Sequence, residues 1–156
     1  LEALRSRAGE GLPEAWKGFD LESFWNFETP FEEVYAADTV GAVARDRSGS
    51  FAVAGSTGGS SPMLRGRIGD TPLIGCGFYA GPSGAVCATG IGEEIIRKQL
   101  CRQVHEWMAA GEDVRQACER GVAQYAAEIP VGLIAISRSG SAVAANRDMA
   151  SGSRVT

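Results

Sequence analysis

Asp38 and Thr39 stand directly before an alternating apolar run, "VGAVARD", that a glycine turn joins to a second one, "FAVAGST". A threonine at the mouth of a strand is ordinarily a β-branched packing residue. At the start of a chain it becomes a different reagent, because its own α-amino group lies within reach of its own hydroxyl. That amine has an ordinary pKa near neutrality, which suits a general base. Thr39 is internal to this sequence. The Asp38–Thr39 bond must therefore be cut before the pair can act; until then the nitrogen is an amide and has no basicity.

Other chemistries are poorly served by the same sequence. A serine or cysteine triad needs a histidine, and the one histidine of the chain, His105, sits inside an amphipathic helical pattern beside Val104 and Met108, as a structural residue would. "TGIGEEI" has the outline of a dinucleotide loop, but Ile95 occupies the third glycine position, and Glu93 and Glu94 would repel a pyrophosphate. "GSTGGSS" has no following lysine and is no phosphate loop. Cys76, Cys87, Cys101 and Cys118 form no CxxC pair, so no metal site is expected and buried free thiols are. A net charge of −4 offers no field to nucleic acid. No apolar run approaches a membrane span, and the first residues hold no signal-peptide apolar core. With Leu1 taken as the natural start, the expectation is a soluble cytoplasmic protein.

The elements that must position Thr39 are legible from Val40 onward. The two runs form a β-hairpin turning at Arg47-Ser48-Gly49-Ser50. "GGSSPMLRGRIGDTP" is a loop, and "LIGCGFYA" with "GAVCATG" predicts a strand pair around Gly81-Pro82-Ser83-Gly84. "EEIIRKQLCRQVHEWMAAG" predicts one helix carrying Ile95, Ile96, Leu100, Val104, Trp107 and Met108 on its apolar stripe. A second helix is predicted over about 113–127, and a second hairpin turns at Ser139-Gly140. Strands, then two helices, then strands argue for an α+β layered fold with largely antiparallel sheet. Residues 1–38, rich in acids and aromatics and broken by Pro13 and Pro30, are expected to be a partly disordered arm or linker. Residues 39–156 are expected to form the catalytic part.

Four segments, "DTVGAVA", "STGG", "GRIGDTPLIGCGFYA" and "ATGIGEEI", occur in an order and spacing that resembles the β-subunit of the plant-type L-asparaginase/isoaspartyl peptidase family. These are N-terminal-nucleophile (Ntn) hydrolases, with glycosylasparaginases among their relatives. The resemblance covers roughly three quarters of the chain, from about Asp38 to the end. It implies an αββα sandwich of which this chain supplies mainly the β-subunit half, residues 1–38 being the tail of the α-subunit. It also implies a precursor that cleaves itself between Asp38 and Thr39. Carried over by position, Thr39 resembles the nucleophile and Thr57 the second threonine that hydrogen-bonds near it. Arg67 resembles the arginine that binds the substrate α-carboxylate, and Asp70 the acid that receives its α-ammonium group. Thr89 and Gly90 resemble the oxyanion hole; the carbonyl of Gly92 resembles one that meets the substrate amine. Ile91, between the two glycines, departs from relatives that carry histidine or another residue there.

These assignments make physical sense. An aspartyl or asparaginyl head group is zwitterionic, and Arg67 with Asp70 offers one charge of each sign in a short loop. The Thr89–Gly92 turn leads from a strand into a helix start, where unpaired N–H groups favour a developing oxyanion. The function expected is hydrolysis of L-asparagine and β-aspartyl dipeptides to aspartate, with no catalytic cofactor. A structural sodium ion is implied for the longer N-terminal half. The remainder of the α-subunit is the implied partner, in an αβ heterodimer that pairs again. Neither nucleic acid nor membrane is an expected partner. A glycosylasparaginase-type hydrolase and an unprocessed, non-catalytic precursor or fragment stand as alternatives.

Overall fold

A computed structural model describes residues 39–59 and 66–154. The stretch 1–38, read above as an arm, lies outside the described residues, and with it Asp38. The chain divides into two compact units: Thr39–Thr57 with Gly69–Thr156, and Leu1–Asp38 with Gly58–Ile68. The elements below all belong to the first.

β1 (Thr39–Arg45) and β2 (Phe51–Thr57) form an antiparallel ribbon in which Thr39 pairs with Thr57 and Arg45 with Phe51. Its turn begins one residue earlier than the sequence suggests, because Asp46 organises it. The Asp46 carboxylate accepts from the Ser48 hydroxyl and the Ser50 amide, and those bonds hold its pKa below the ordinary carboxylate value. β3 (Phe78–Gly81), β4 (Gly84–Gly90), β5 (Val131–Ser137) and β6 (Ser141–Ala145) form a second antiparallel sheet in that order. Between β4 and β5 come α1 (Gly92–Lys98), α2 (Leu100–Ala109) and α3 (Val114–Val122). The Asp113 side chain caps α3, accepting from the amides of Arg115 and Gln116. The expected mixed α and β architecture with antiparallel sheets is what the described residues adopt.

Side-chain alternation sorts the layers. Val86 and Ala88 of β4, with Val131, Leu133 and Ala135 of β5, face a core shared with Ile95, Leu100, Val104, Met108 and Cys118 of the helices. Cys87 points the opposite way, into the glycines of the ribbon: a Cβ on Gly41 would stand 2.5 Å from its Sγ, and one on Gly55 3.6 Å. The four-stranded sheet thus has helices on one face and the ribbon on the other. All four cysteines are free and buried, as the sequence suggested. His105 is buried too, stacked edge-on against Tyr79 with ring centroids 4.9 Å apart, in the structural role expected of it.

Three further boundaries differ from the sequence reading. Residues 73–77 are a folded loop and no strand, because Asp70 draws the chain back: its carbonyl accepts from Leu73 N at 2.8 Å and Gly77 N at 3.1 Å. A Cβ on Gly77 would sit 2.6 Å from that carbonyl oxygen, so only glycine allows the approach. The single predicted helix is broken at Gln99, which adopts φ +47°. The break turns the start of α2 toward the loop, where Cys101 N and Arg102 N donate to the carbonyls of Cys76 and Gly75. α3 stops at Val122, short of the expected 127, although Tyr125 beyond it is still buried.

Candidate active site

Thr39 and Thr57 are the paired residues at the open end of the ribbon, away from its turn. The register brings their hydroxyls together, Thr39 Oγ1 donating to Thr57 Oγ1 at 3.1 Å. That pairing follows from the turn: a one-residue slip would send the two side chains to opposite faces.

Two contacts fix how β1 lies across β4. At one end Arg45 donates to the carbonyls of Ser137 and Arg138, and Ser137 pairs with Gly84, the first residue of β4. In the middle Gly41 sits on Cys87. The two strands therefore run in opposite directions. Thr39, two residues before Gly41, faces the end of β4 where Thr89 lies two residues beyond Cys87. Alternation puts Thr89 on the same face of β4 as Cys87.

Asp70 reaches the same end from the side. Its residue is buried, 7% exposed. Its carbonyl holds Gly77, whose own carbonyl accepts from Ala88 N of β4 at 2.8 Å. The next residue, Thr71, packs its methyl toward Gly55 of β2, where a Cβ would be 3.5 Å away. Negative charge at Asp70 contributes, after burial, to the raised pKa of the Cys76 thiol. It adds to the raised pKa of Cys87 as well, where burial again dominates.

The turn after β4 holds its backbone close to Pro130. Gly90 has φ +149°, and a Cβ there would run into the Pro130 carbonyl. Ile91 N donates to that same carbonyl at 3.3 Å, and Gly92 opens α1. Ile91 itself is 43% exposed. Arg67 falls in the second compact unit. Of the residues singled out from sequence, Thr39, Thr57, Asp70, Thr89, Gly90 and Gly92 thus share one unit.

The structure adds residues that the sequence pattern did not point to. Cys87 is the β4 residue on which Gly41 of β1 rests, Pro130 supplies the carbonyl against which Gly90 folds, and Gly132 is paired with Thr89. A glycine inside a strand pattern signals a close approach, so Gly132 alone could have been suspected. Among the described residues, no group of three His, Cys, Asp or Glu is arranged to hold a metal ion. No helix among them is long and apolar enough to cross a membrane.

Known proteins agree with the motifs. The asparaginase family model Asparaginase_2 matches residues 14–153. The chain is 44% identical to the plant-type L-asparaginase of Pyrobaculum calidifontis over 99 residues, 63% of this chain and 32% of that protein. It is 42% identical to the isoaspartyl peptidase of Salmonella typhimurium over 118 residues, 71% of this chain and 37% of that one. It is also 34% identical to the N(4)-(Beta-N-acetylglucosaminyl)-L-asparaginase of Elizabethkingia miricola over 122 residues, 71% of this chain and 36% of the relative. The chain thus spans about a third of the length of these curated relatives. A family match that runs through nearly every described element, and holds all of the clustered site residues, leaves one conclusion: this chain belongs to the Asparaginase_2 family of asparaginases.

Proposed function

We propose that the chain is the catalytic portion of an N-terminal-threonine amidohydrolase that releases L-aspartate from L-asparagine and from β-aspartyl dipeptides. The observation that carries this reading is the 3.1 Å bond between Thr39 and Thr57 at the end of the ribbon that faces Thr89. In this reading the Asp38–Thr39 bond is cut by the protein itself. The freed amine then takes the proton of the Thr39 hydroxyl as it attacks the side-chain amide carbonyl of the substrate. Thr57 accepts the nucleophile's hydrogen bond and orients it. The Thr89 hydroxyl and the Gly90 N–H stabilise the oxyanion of the tetrahedral intermediate. Asp70 receives the substrate ammonium group together with the Gly92 carbonyl, and Arg67 grips the α-carboxylate. Ammonia or an amino acid leaves, and water releases aspartate from the acyl-enzyme. Hydrolases of this family need no catalytic cofactor, and none enters the scheme.

The same reading places residues 1–38 at the end of an α-subunit and Thr39 at the start of a β-subunit. The remainder of the α-subunit then completes an αββα sandwich, carries the structural sodium ion, and joins this chain in an αβ heterodimer that dimerises. A glycosylated asparagine is the second substrate class to test, because a relative of that name is 34% identical.

Intact-mass spectrometry of the complete protein is expected to show two fragments split before Thr39. Ammonia should be released from asparagine and leucine from β-Asp-Leu. Thr39→Ala should leave one uncut species with no turnover. An uncut wild-type protein that releases neither product would sink the proposal; turnover confined to the glycosylated substrate would move it to the second class.

A further inference from the structure

The C-terminal segment beyond β6 reaches Gly132, the β5 residue paired with the candidate oxyanion residue Thr89. Asn146 clamps its start: Asn146 N donates to Val131 O at 3.1 Å, Val131 N to Asn146 Oδ1 at 2.8 Å, and Asn146 Nδ2 to Ile129 O at 2.8 Å. Three residues on, the half-buried side chain of Met149 lies over Gly132, the residue paired with Thr89. The point where a Cβ on Gly132 would stand is 2.5 Å from Met149 Sδ, 3.4 Å from Met149 Cε and 3.2 Å from the Thr89 methyl. The thioether and the threonine methyl thus both border the space that a side chain at 132 would need.

We propose that Met149 is a positioning residue that sets the Thr89 rotamer, a role that rests on the oxyanion assignment above. A threonine side chain has its hydroxyl and methyl in two staggered positions on one carbon, so fixing the methyl fixes the hydroxyl. With Met149 in place the methyl stays against Gly132, and the hydroxyl keeps a single direction. Without it the space over Gly132 opens and the side chain can turn. An unbranched thioether suits such an irregular gap. The three bonds of Asn146 keep the segment from drifting away.

The test is kinetic and uses the processed enzyme with asparagine as substrate. Met149→Ala is expected to lower kcat by about tenfold to a hundredfold, as small misplacements of catalytic groups do, with KM little changed. Met149→Leu, of similar bulk, should recover most of that loss. In a Thr89→Val background, which keeps the branched shape but has no hydroxyl, Met149→Ala should cost nothing further. An equal loss in both backgrounds, or a rise in KM at constant kcat, would overturn the role of Met149 and leave the oxyanion reading standing. A Thr89→Val enzyme with unchanged kcat would overturn both. If Met149→Ala does not fold, the Met149→Leu and Thr89→Val enzymes decide: a Leu variant as slow as Thr89→Val counts against positioning by bulk.

Discussion

At the scale of single residues, burial decides which groups are reactive and which are inert. Cys118 is pushed up to about 12 and Cys101 well above its ordinary range, both chiefly by desolvation, so these thiols stay protonated and serve as small apolar side chains. His105 is pushed the other way, because its burial disfavours the imidazolium. Its folded pKa lies below the unfolded value of about 6.5, so the unfolded chain takes up the proton first. Its contribution to stability is complete above that value and is lost as the pH falls from it through the lowered folded pKa. Urea midpoints should therefore drop between pH 7.5 and 5.5, and His105→Gln should flatten that slope. An unchanged slope in the variant would show that other groups set the acid limb.

At the scale of elements, one close contact sets how near the ribbon comes to the middle of β4. Gly41 and Gly55 leave room for the Cys87 side chain, whose Sγ also reaches the Ala54 carbonyl at 3.8 Å. Gly41→Ala forces a methyl into that sulfur and should destabilise the fold by about 1–3 kcal/mol, the usual cost of overpacking. Adding Cys87→Ala removes the sulfur and leaves a Cβ at 3.3 Å, so the double variant should regain part of the lost stability. Chemical denaturation of the two singles and the double measures the coupling; strict additivity would mean that the two residues do not meet. Since Gly41 follows Thr39 by two positions, the same contact sets the height of Thr39, the nucleophile of the proposed reading, over β4.

At the scale of the whole molecule, the two faces of the ribbon differ. Its inner face meets β4 and β5, while Val40 is 68% exposed on the outer face, and Ala42, Ala44, Ala52 and Ala54 lie exposed beside it. A run of small apolar side chains on an open ribbon invites a covering layer, since unpaired edges and bare apolar faces promote association. On the proposed reading the rest of the α-subunit covers it. The chain purified by itself is expected to run as mixed aggregates in size-exclusion chromatography with light scattering. Co-expression with the rest of the α-subunit that this reading calls for should give a discrete species. A well-behaved monomer of the isolated chain would contradict that expectation.

What the sequence determined by itself was the grammar. Alternation located β1, β2, β4, β5 and β6, and the ordered motifs singled out Thr39, Thr57, Asp70, Thr89, Gly90 and Gly92, which fall in one compact unit, because such patterns are local and need no partner to be read. Where a helix breaks or a strand fails to begin was settled elsewhere. Gln99 turns left-handed so that α2 can hold the carbonyls of Gly75 and Cys76, and residues 73–77 fold back because Asp70 and Gly77 meet. Those are specific tertiary and turn contacts, with no periodic trace in the sequence. For the same reason only the tertiary structure put Thr39 at the Thr89 end of β4, Cys87 beneath it and Met149 beside Gly132. Each depends on which face a strand presents and which strand crosses it.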